Sequence, residues 1–292
     1  MTENNLLDYD LHLIPTFGVA GNFTGHLEQA GEAKDFENVK TMEACAPKAL
    51  FPTYIPVNPG MMIDEKSIPL FLHDFPFDSE KIIYPKGEQK IQIEPECALL
   101  CRLEWKAGRV VSFEPEYFGA SNDCSIRKEG AKKISLKKNW GKSSKGFASH
   151  VIKIDSFAPN GILDRYRIAS FLLREGRAFP YGEDSPVRDY SYIYKKLSDW
   201  IIEKLNTQKD EGPAENVNSY LARAGFPNKI MVSIGATRYT DFGEHNFLKD
   251  GDSSVVVLYP EDKYKKEEIV ERVQKNNLSA PDISALVQKV VL

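Results

Sequence analysis

The stretch IQIEPECALLCRL, residues 91–103, is the most informative part of the sequence for the fold. Its apolar content predicts a buried strand, yet it carries two acids, Glu94 and Glu96. Successive side chains of a strand alternate between its faces, so both acids point to one face while Ile93 and Cys97 point to the other. Neighbouring carboxylates repel each other and are costly to bury unless a cation lies between them. Hard divalent cations such as Mg²⁺, Mn²⁺ and Ca²⁺ prefer oxygen ligands of this kind.

The alternative is an edge strand with one face in water and two solvated acids. Pro95 favours that interpretation, because proline in sheets is mostly confined to edge strands. A metal site needs a further ligand, and Asp123 in ASNDCSIR (120–127) follows the next segment with strand character. If the two strands are adjacent, Asp123 returns beside the acid pair. Aspartate is also common in turns for purely local reasons, so Asp123 alone does not decide between the two interpretations.

Composition narrows the class of protein. The chain has 292 residues and a formal net charge of −4, which argues against a nucleic-acid partner because phosphate-binding proteins usually carry a basic excess. No apolar run reaches the roughly 20 residues that a membrane helix needs, and the polar, acidic start is not a secretory signal. Four cysteines without CxxC or zinc spacing fit a reduced cytoplasm. The basic run at 128–138 is expected to be a solvated loop.

Hydrophobic periodicity predicts many short strands, few helices and no βαβ repeat, which together indicate an α+β fold that is mostly β. A helix is expected at 190–206, and a second in the last thirty residues, where Ser279–Asp282 has the composition of a helix start. The predicted strands include 68–72, 81–84, 90–104, 150–157, segments of 164–179, 229–236 and 253–260.

Six short motifs occur in the order that is typical of the fumarylacetoacetate hydrolase superfamily, which the chain resembles. They are GNFTGH (21–26), EPE (94–96), NDCSIR (122–127), WGKSSKGF (140–147), SIGAT (233–237) and DGD (250–252). The resemblance implies a rolled mixed β-sheet with few flanking helices, usually in a homodimer. It spans roughly residues 11–260, and we expect residues 1–260 to be a single catalytic domain. Residues 261–292 lie outside it and are expected to be a helical extension packed on that domain.

The resemblance also implies a metal centre and a chemistry. Glu94, Glu96 and Asp123 would bind a divalent cation, Mg²⁺ or Mn²⁺ and less typically Ca²⁺. The substrate would be a small 2-oxo or 1,3-diketo acid that chelates the metal, and the reaction would be hydrolysis or cleavage of a C–C bond through an enolate. An oxo-acid decarboxylase or isomerase is the alternative within the same superfamily.

A general base is expected at His26, because imidazole titrates near neutral pH. Family hydrolases often pair this histidine with a glutamate three residues later, but Gln29 stands at that position here. Glu28 and Glu32 are the nearby acids that could assist His26 instead.

Further roles follow from the resemblance alone. Lys145 is expected to stabilise negative charge. The expected substrate-binding residues are Asn22, Arg127, Lys142, Gly235 and Thr237.

A non-catalytic relative that keeps the sheet, with or without the metal, is the remaining interpretation. Gln29 and the altered turn in SIGATRYT (233–240) favour it. Retention of three acids favours an enzyme, because buried carboxylates without a partner destabilise a fold.

Overall fold

The computed structural model describes residues 9–37, 39, 41–57, 67–128 and 132–292. These residues form fourteen strands and six α-helices. The strands are β1 (Thr16–Ala20), β2 (Ala49–Tyr54), β3 (Lys81–Ile83), β4 (Ile91–Gln92), β5 (Pro95–Lys106), β6 (Arg109–Asn122), β7 (Ser125–Ile126), β8 (Gly146–Phe147), β9 (Ile152–Lys153), β10 (Tyr166–Arg174), β11 (Arg177–Pro186), β12 (Lys229–Ala236), β13 (Ser253–Pro260) and β14 (Ser284–Val291). The helices are α1 (His26–Gln29), α2 (Ser135–Lys138), α3 (Tyr194–Thr207), α4 (Val217–Arg223), α5 (Asp241–His245) and α6 (Lys266–Gln274).

Two mixed sheets form the body of the molecule. The larger has the strand order β2-β1-β12-β5-β6-β8, with β9 also paired to β6, and the second has the order β11-β10-β13-β14-β3. One pair in each sheet is parallel, β1 with β12 and β14 with β3, and the other pairs are antiparallel. The prediction of a mostly β fold with a mixed, curled sheet and few helices is confirmed.

The acid-bearing strand lies in the middle of the larger sheet. β5 is paired with β12 on one side and with β6 on the other, so the edge-strand interpretation is wrong. Ile93 and Cys97 are buried in the main core, as the alternation predicts. Glu94 and Glu96 are each only 2% exposed, so neither acid is solvated.

The longest apolar runs form strands that are buried on both faces. In β13, Val256 and Leu258 belong to the main core, which includes residues of both sheets. Val255 and Val257 face the opposite way into a second core beneath α6, together with Ile269. This double burial explains why the sequence of β13 shows no alternation of polar and apolar residues.

The C-terminal segment differs from its prediction. α6 supplies the expected amphipathic helix, with Ile269 and Val273 buried. The predicted helix start at Ser279–Asp282 is wrong, because β14 follows it directly and joins β13 to β3. Residues within β14 are buried alternately, which is the period of a strand, and its pairing with β13 outweighs the local helix-start signal.

Two further local predictions are wrong. Residues 70–73 form a 3₁₀ helix rather than the strand expected at 68–72. The basic run expected to be solvated ends in α2, where Lys137 and Lys138 are both buried. Residues 129–131 of that run lie outside the described part of the chain. Among the described residues, no helix is long and apolar enough to cross a membrane.

Candidate metal centre

Glu94, Glu96 and Asp123 come together where the larger sheet ends. Each offers one carboxylate oxygen, and these three atoms lie within 4.8 Å of one another. The antiparallel register that pairs Pro95 with Asn122 continues outward, and the Asp123 amide donates to the Glu94 carbonyl at 3.1 Å. Asp123 therefore lies opposite Glu94, as expected for acids on adjacent strands.

Cations of the protein lie against two of these carboxylates. The Lys138 ammonium donates to Glu94 Oε2 and lies 2.9 Å from Asp123 Oδ2. Lys145 donates to Asp123 Oδ1, and an Arg127 nitrogen lies 2.8 Å from Glu94 Oε1. Glu94 Oε1 and Asp123 Oδ2 are within ion-pair distance of these cations, but neither accepts a well-aligned hydrogen bond from a residue that the structure describes.

Glu96 has a different environment. Its Oε2 accepts a hydrogen bond of 2.9 Å from the backbone amide of Gly235, where φ is +114°. A Cβ at this position would lie 3.1 Å from the Asn22 Cβ, so both the conformation and the space require glycine. Gly235, an expected substrate-binding residue, thus donates its backbone amide to Glu96.

The pKa values of the two neighbouring glutamates shift in opposite directions. Burial acts to raise the pKa of Glu94, but the charges of Lys138 and Arg127 outweigh it and hold that pKa below its usual range. Burial and the nearby Asp123 carboxylate raise the pKa of Glu96 well above its usual value. Without a metal, Glu96 is therefore the neutral member of the triad.

The donor set suits a divalent cation. Three buried carboxylates converge, and two of their oxygens lack a well-aligned hydrogen bond. The triad could therefore hold Mg²⁺ or Mn²⁺ through oxygen alone. The ammonium of Lys138 lies beside one of these two oxygens, Asp123 Oδ2, and beside Glu94 Oε2, so a metal on these carboxylates must compete with it.

Arg127 connects the triad to an adjacent cavity. Besides Glu94, its guanidinium binds Glu32 Oε1 at 2.8 Å, Gln92 Oε1 at 2.6 Å and the Tyr239 hydroxyl at 2.7 Å. Lys137 also lies 3.1 Å from Glu32 Oε1. A cavity of about 800 Å³ is lined by Arg127, Glu32, Gln92 and Lys137, among others. The three acids of the triad do not line it.

His26 is buried beside this network. Its Nδ1 donates to the Thr237 carbonyl at 2.8 Å, which leaves Nε2 as the nitrogen with the lone pair. Burial lowers the pKa of His26 to about 4, so the imidazole is neutral at pH 7. In the described part of the chain, neither Glu28 nor Glu32 hydrogen-bonds to it: Glu28 is exposed and Glu32 binds Arg127 and Lys137.

The expected substrate-binding residues are dispersed. Asn22 is fully engaged with the backbone of Tyr192 and Ile234. Lys142 is exposed and makes no described contact with the triad. Thr237 is buried, and its hydroxyl has no hydrogen-bond partner in the described part of the chain. Of this group, Arg127 and Gly235 contact the triad.

Sequence reasoning missed several residues of this network. Lys138 was assigned to a solvated run, and nothing in the local sequence distinguishes it from the lysines around it. Tyr239 and Gln92 were also missed, although both hold Arg127. The Gln29 side chain is directed to Tyr239: its amide nitrogen donates to the Tyr239 carbonyl, and its oxygen accepts from the Tyr239 amide.

Solved structures share this fold. Cg1458 with an inhibitor aligns over 95% of this chain and 76% of that chain, at 14% identity and a TM-score of 0.53. The apo form of 2-keto-3-deoxy-D-arabinonate dehydratase aligns over 95% of this chain and 72% of that chain, at 15% identity and a TM-score of 0.52. That dehydratase complexed with magnesium and 2,5-dioxopentanoate aligns over the same shares, at 15% identity and a TM-score of 0.50. These likenesses establish a fold like that of the fumarylacetoacetate hydrolase superfamily.

A sequence model of a family described as a family of unknown function, DUF5718, matches residues 32–290. The chain belongs to this family. No curated protein matches the sequence significantly.

Proposed function

We propose that this chain is an enzyme that binds Mg²⁺ or Mn²⁺ at Glu94, Glu96 and Asp123 and acts on a small oxo acid. The observation that carries the proposal is the convergence of three buried carboxylates within 4.8 Å at the start of a central strand. The same fold occurs in a dehydratase that was solved with magnesium and a dioxo acid. When bound, the cation would polarise the substrate carbonyl and stabilise an enolate.

The protein's own residues would position the substrate and move a proton. The cavity lined by Arg127 and Lys137 is the nearest space beside the triad, and both cations suit a substrate carboxylate. His26, neutral and with Nδ1 fixed on the Thr237 carbonyl, offers Nε2 as the proton acceptor. Lys145, held against Asp123, adds positive charge next to the triad.

We propose hydrolysis or lyase cleavage of a C–C bond of a 2-oxo or 1,3-diketo acid as the reaction, in a cytoplasmic homodimer. Decarboxylation or isomerisation is the alternative. Decarboxylation and isomerisation need no activated water. They therefore depend less on a carboxylate paired with His26, whose Nδ1 binds the Thr237 carbonyl in the described part of the chain.

A non-catalytic relative is the second candidate, and one observation favours it. Lys138, Lys145 and Arg127 already balance the charges of Glu94 and Asp123, so the cluster is self-neutralised without a metal. A buried ion-pair network of this kind is compatible with a purely structural role.

Thermal unfolding of metal-free protein with Mg²⁺ or Mn²⁺, each with and without oxalate, tests the proposal. Oxalate resembles the planar, chelating enolate of an oxo acid, and a ligand of the folded state raises the melting temperature. We expect stabilisation by metal and a further, metal-dependent stabilisation by oxalate. No shift with either metal would support the non-catalytic candidate.

Turnover is the second measurement. After a screen of oxo acids has identified a substrate, we expect His26→Ala to lose turnover while its Mn²⁺ affinity stays that of the wild type, because His26 lies outside the triad. Full activity in this variant would remove His26 from the mechanism.

A further inference from the structure

Lys138 lies against two of the three carboxylates that would bind the proposed metal. Its ammonium contacts Glu94 Oε2 and Asp123 Oδ2, so it bridges two of the three carboxylates that would chelate the cation. The residue is buried, and its Nζ also lies 5.6 Å from the centre of the Phe51 ring. Lys138 is thus a fixed positive charge inside the acid cluster.

A lysine ammonium and a divalent ion compete for these oxygens. An ammonium has three donors and no lone pair, so it cannot act as a metal ligand. A divalent cation on the same carboxylates would repel it strongly in this buried environment. A metal that binds Glu94 Oε2 or Asp123 Oδ2 would therefore displace the Lys138 ammonium from these oxygens.

Lys138 is better placed to move than the other lysine on the triad. Lys145 lies in a tightly held backbone: its amide donates to Pro76, and its carbonyl accepts from Asp78 and Gln288. Among the described residues, the ammonium of Lys145 forms an ion pair with Asp123 alone. Lys138 ends α2, a single-turn helix that is attached to the surface loop 207–216 through Lys133, Ile134 and Ser135.

We infer that Lys138 is an internal competitor of the divalent cation and that its withdrawal from Glu94 and Asp123 sets the metal affinity of this chain. The inference rests on the proposed metal site. It predicts that the wild type binds metal weakly for a site with three carboxylates. It also means that α2, which ends at Lys138, influences the metal affinity of the centre.

Titration calorimetry with Mn²⁺ on metal-free protein tests the inference through binding rather than activity. Lys138→Met keeps an apolar stem of similar length and removes the competing charge, so Mn²⁺ should bind about tenfold tighter or more than to the wild type. Lys137→Met is the matched control, since Lys137 contacts Glu32 and Asp35 instead of the triad, and it should keep the wild-type affinity.

The outcomes are distinguishable. An unchanged or weaker affinity in Lys138→Met, with measurable binding to the wild type, would overturn the competition. If neither the wild type nor Lys138→Met binds Mn²⁺, the proposed metal site itself fails, and the inference fails with it. Adding Glu96→Gln to Lys138→Met should cancel the gain, and persistence of the gain would place the metal elsewhere and overturn the inference.

A crystal structure of the wild type soaked in Mn²⁺ tests the same point if Lys138→Met does not fold. Lys138→Gln, which keeps a polar group, is a second variant for the titration. An anomalous peak on the triad with the Lys138 ammonium moved off Glu94 and Asp123 is expected. A metal on the triad with Lys138 still in contact with both carboxylates would contradict the inference.

Discussion

Glu94 and Glu96 lie two positions apart, yet their surroundings give them opposite charge states. Glu94 lies between Arg127 and Lys138 and stays ionised, whereas Glu96 is buried near Asp123 with one backbone amide as partner and takes up a proton. Substitution by glutamine should therefore affect stability little at Glu96 and strongly at Glu94.

Glu96→Gln should change the stability of the metal-free protein by less than about 1 kcal/mol, because one neutral acceptor replaces another. Glu94→Gln should destabilise it by about 3–5 kcal/mol, because two buried cations lose a charged partner. Urea unfolding of both variants measures the difference. Equal losses of stability would contradict the assigned charge states.

Glu215 provides a separate, pH-dependent prediction. Burial raises its pKa from 4.5 to about 7, and Ser135 is its hydrogen-bond partner. Since the folded protein holds this proton more tightly than the unfolded chain, the contribution of Glu215 to stability is present below pH 4.5 and is lost as the pH rises through 7. The loss from this group is about 3 kcal/mol.

Glu215→Gln should remove this pH dependence and make the protein more stable than the wild type at pH 8. Urea unfolding between pH 5 and pH 8 measures it, with Glu211→Gln as an exposed control in the same loop. An identical pH profile for wild type and Glu215→Gln would refute the prediction.

The acids of the cluster could be predicted from sequence, but the cations could not. Alternation along residues 91–103 places Glu94 and Glu96 on one face, and the hairpin that follows returns Asp123 to them. Lys138 is 44 positions from Glu94 in the chain, in a run that resembles a surface loop. Lys138 is buried because α2 packs against the acid cluster, and the local sequence does not indicate this packing.

Among the elements, β14 has the largest consequence for the site. Gln288 is fully buried in it and donates to the carbonyls of Lys145 and Asp78, while its oxygen accepts from Asn122. Asn122 in turn accepts from the Glu94 amide. The C-terminal strand therefore supports the backbone of two residues of the cluster, a role that a helical cover would not have.

Gln288→Leu should destabilise the protein by about 2–4 kcal/mol, because it leaves several buried polar groups without partners. Val291→Thr, at a half-buried position of the same strand, is the control. It should destabilise the protein by less than about 1 kcal/mol, as surface substitutions usually do. Thermal or urea unfolding compares them. A Gln288→Leu protein as stable as the control would contradict the supporting role of β14.

An element was predicted accurately where its own sequence determines it, and wrongly where pairing with distant strands does. β12 and β13 were predicted at residues 229–236 and 253–260, the limits that the structure shows, because both are short, strongly apolar runs bounded by turns. A helix is predicted in place of β14 because the residues before this strand, Ser279–Asp282, resemble a helix start. Only its pairing with β13 and β3, far away in sequence, makes it a strand.

Across the whole molecule, the larger sheet brings distant parts of the chain to one buried cluster of charges. The acids come from one end of the β5–β6 pair, where β5 begins and β6 ends, and from the segment after α1, and the cations come from residues 127–145. Acidic and basic side chains are nearly balanced there, which stabilises the cluster in the absence of metal. The fold class was predictable because it depends on hydrophobic patterns along the chain. The balance of charges in the cluster depends instead on which distant residues the fold brings together.

The central claim is that Glu94, Glu96 and Asp123 form a metal site. Titration calorimetry of Mn²⁺ into metal-free wild type, Glu96→Gln and the Glu94→Gln/Glu96→Gln double variant tests it most directly, with circular dichroism to show that each is folded. We expect saturable binding of one ion by the wild type and none by either folded variant. Unchanged Mn²⁺ affinity in folded Glu96→Gln and in the double variant would contradict the account.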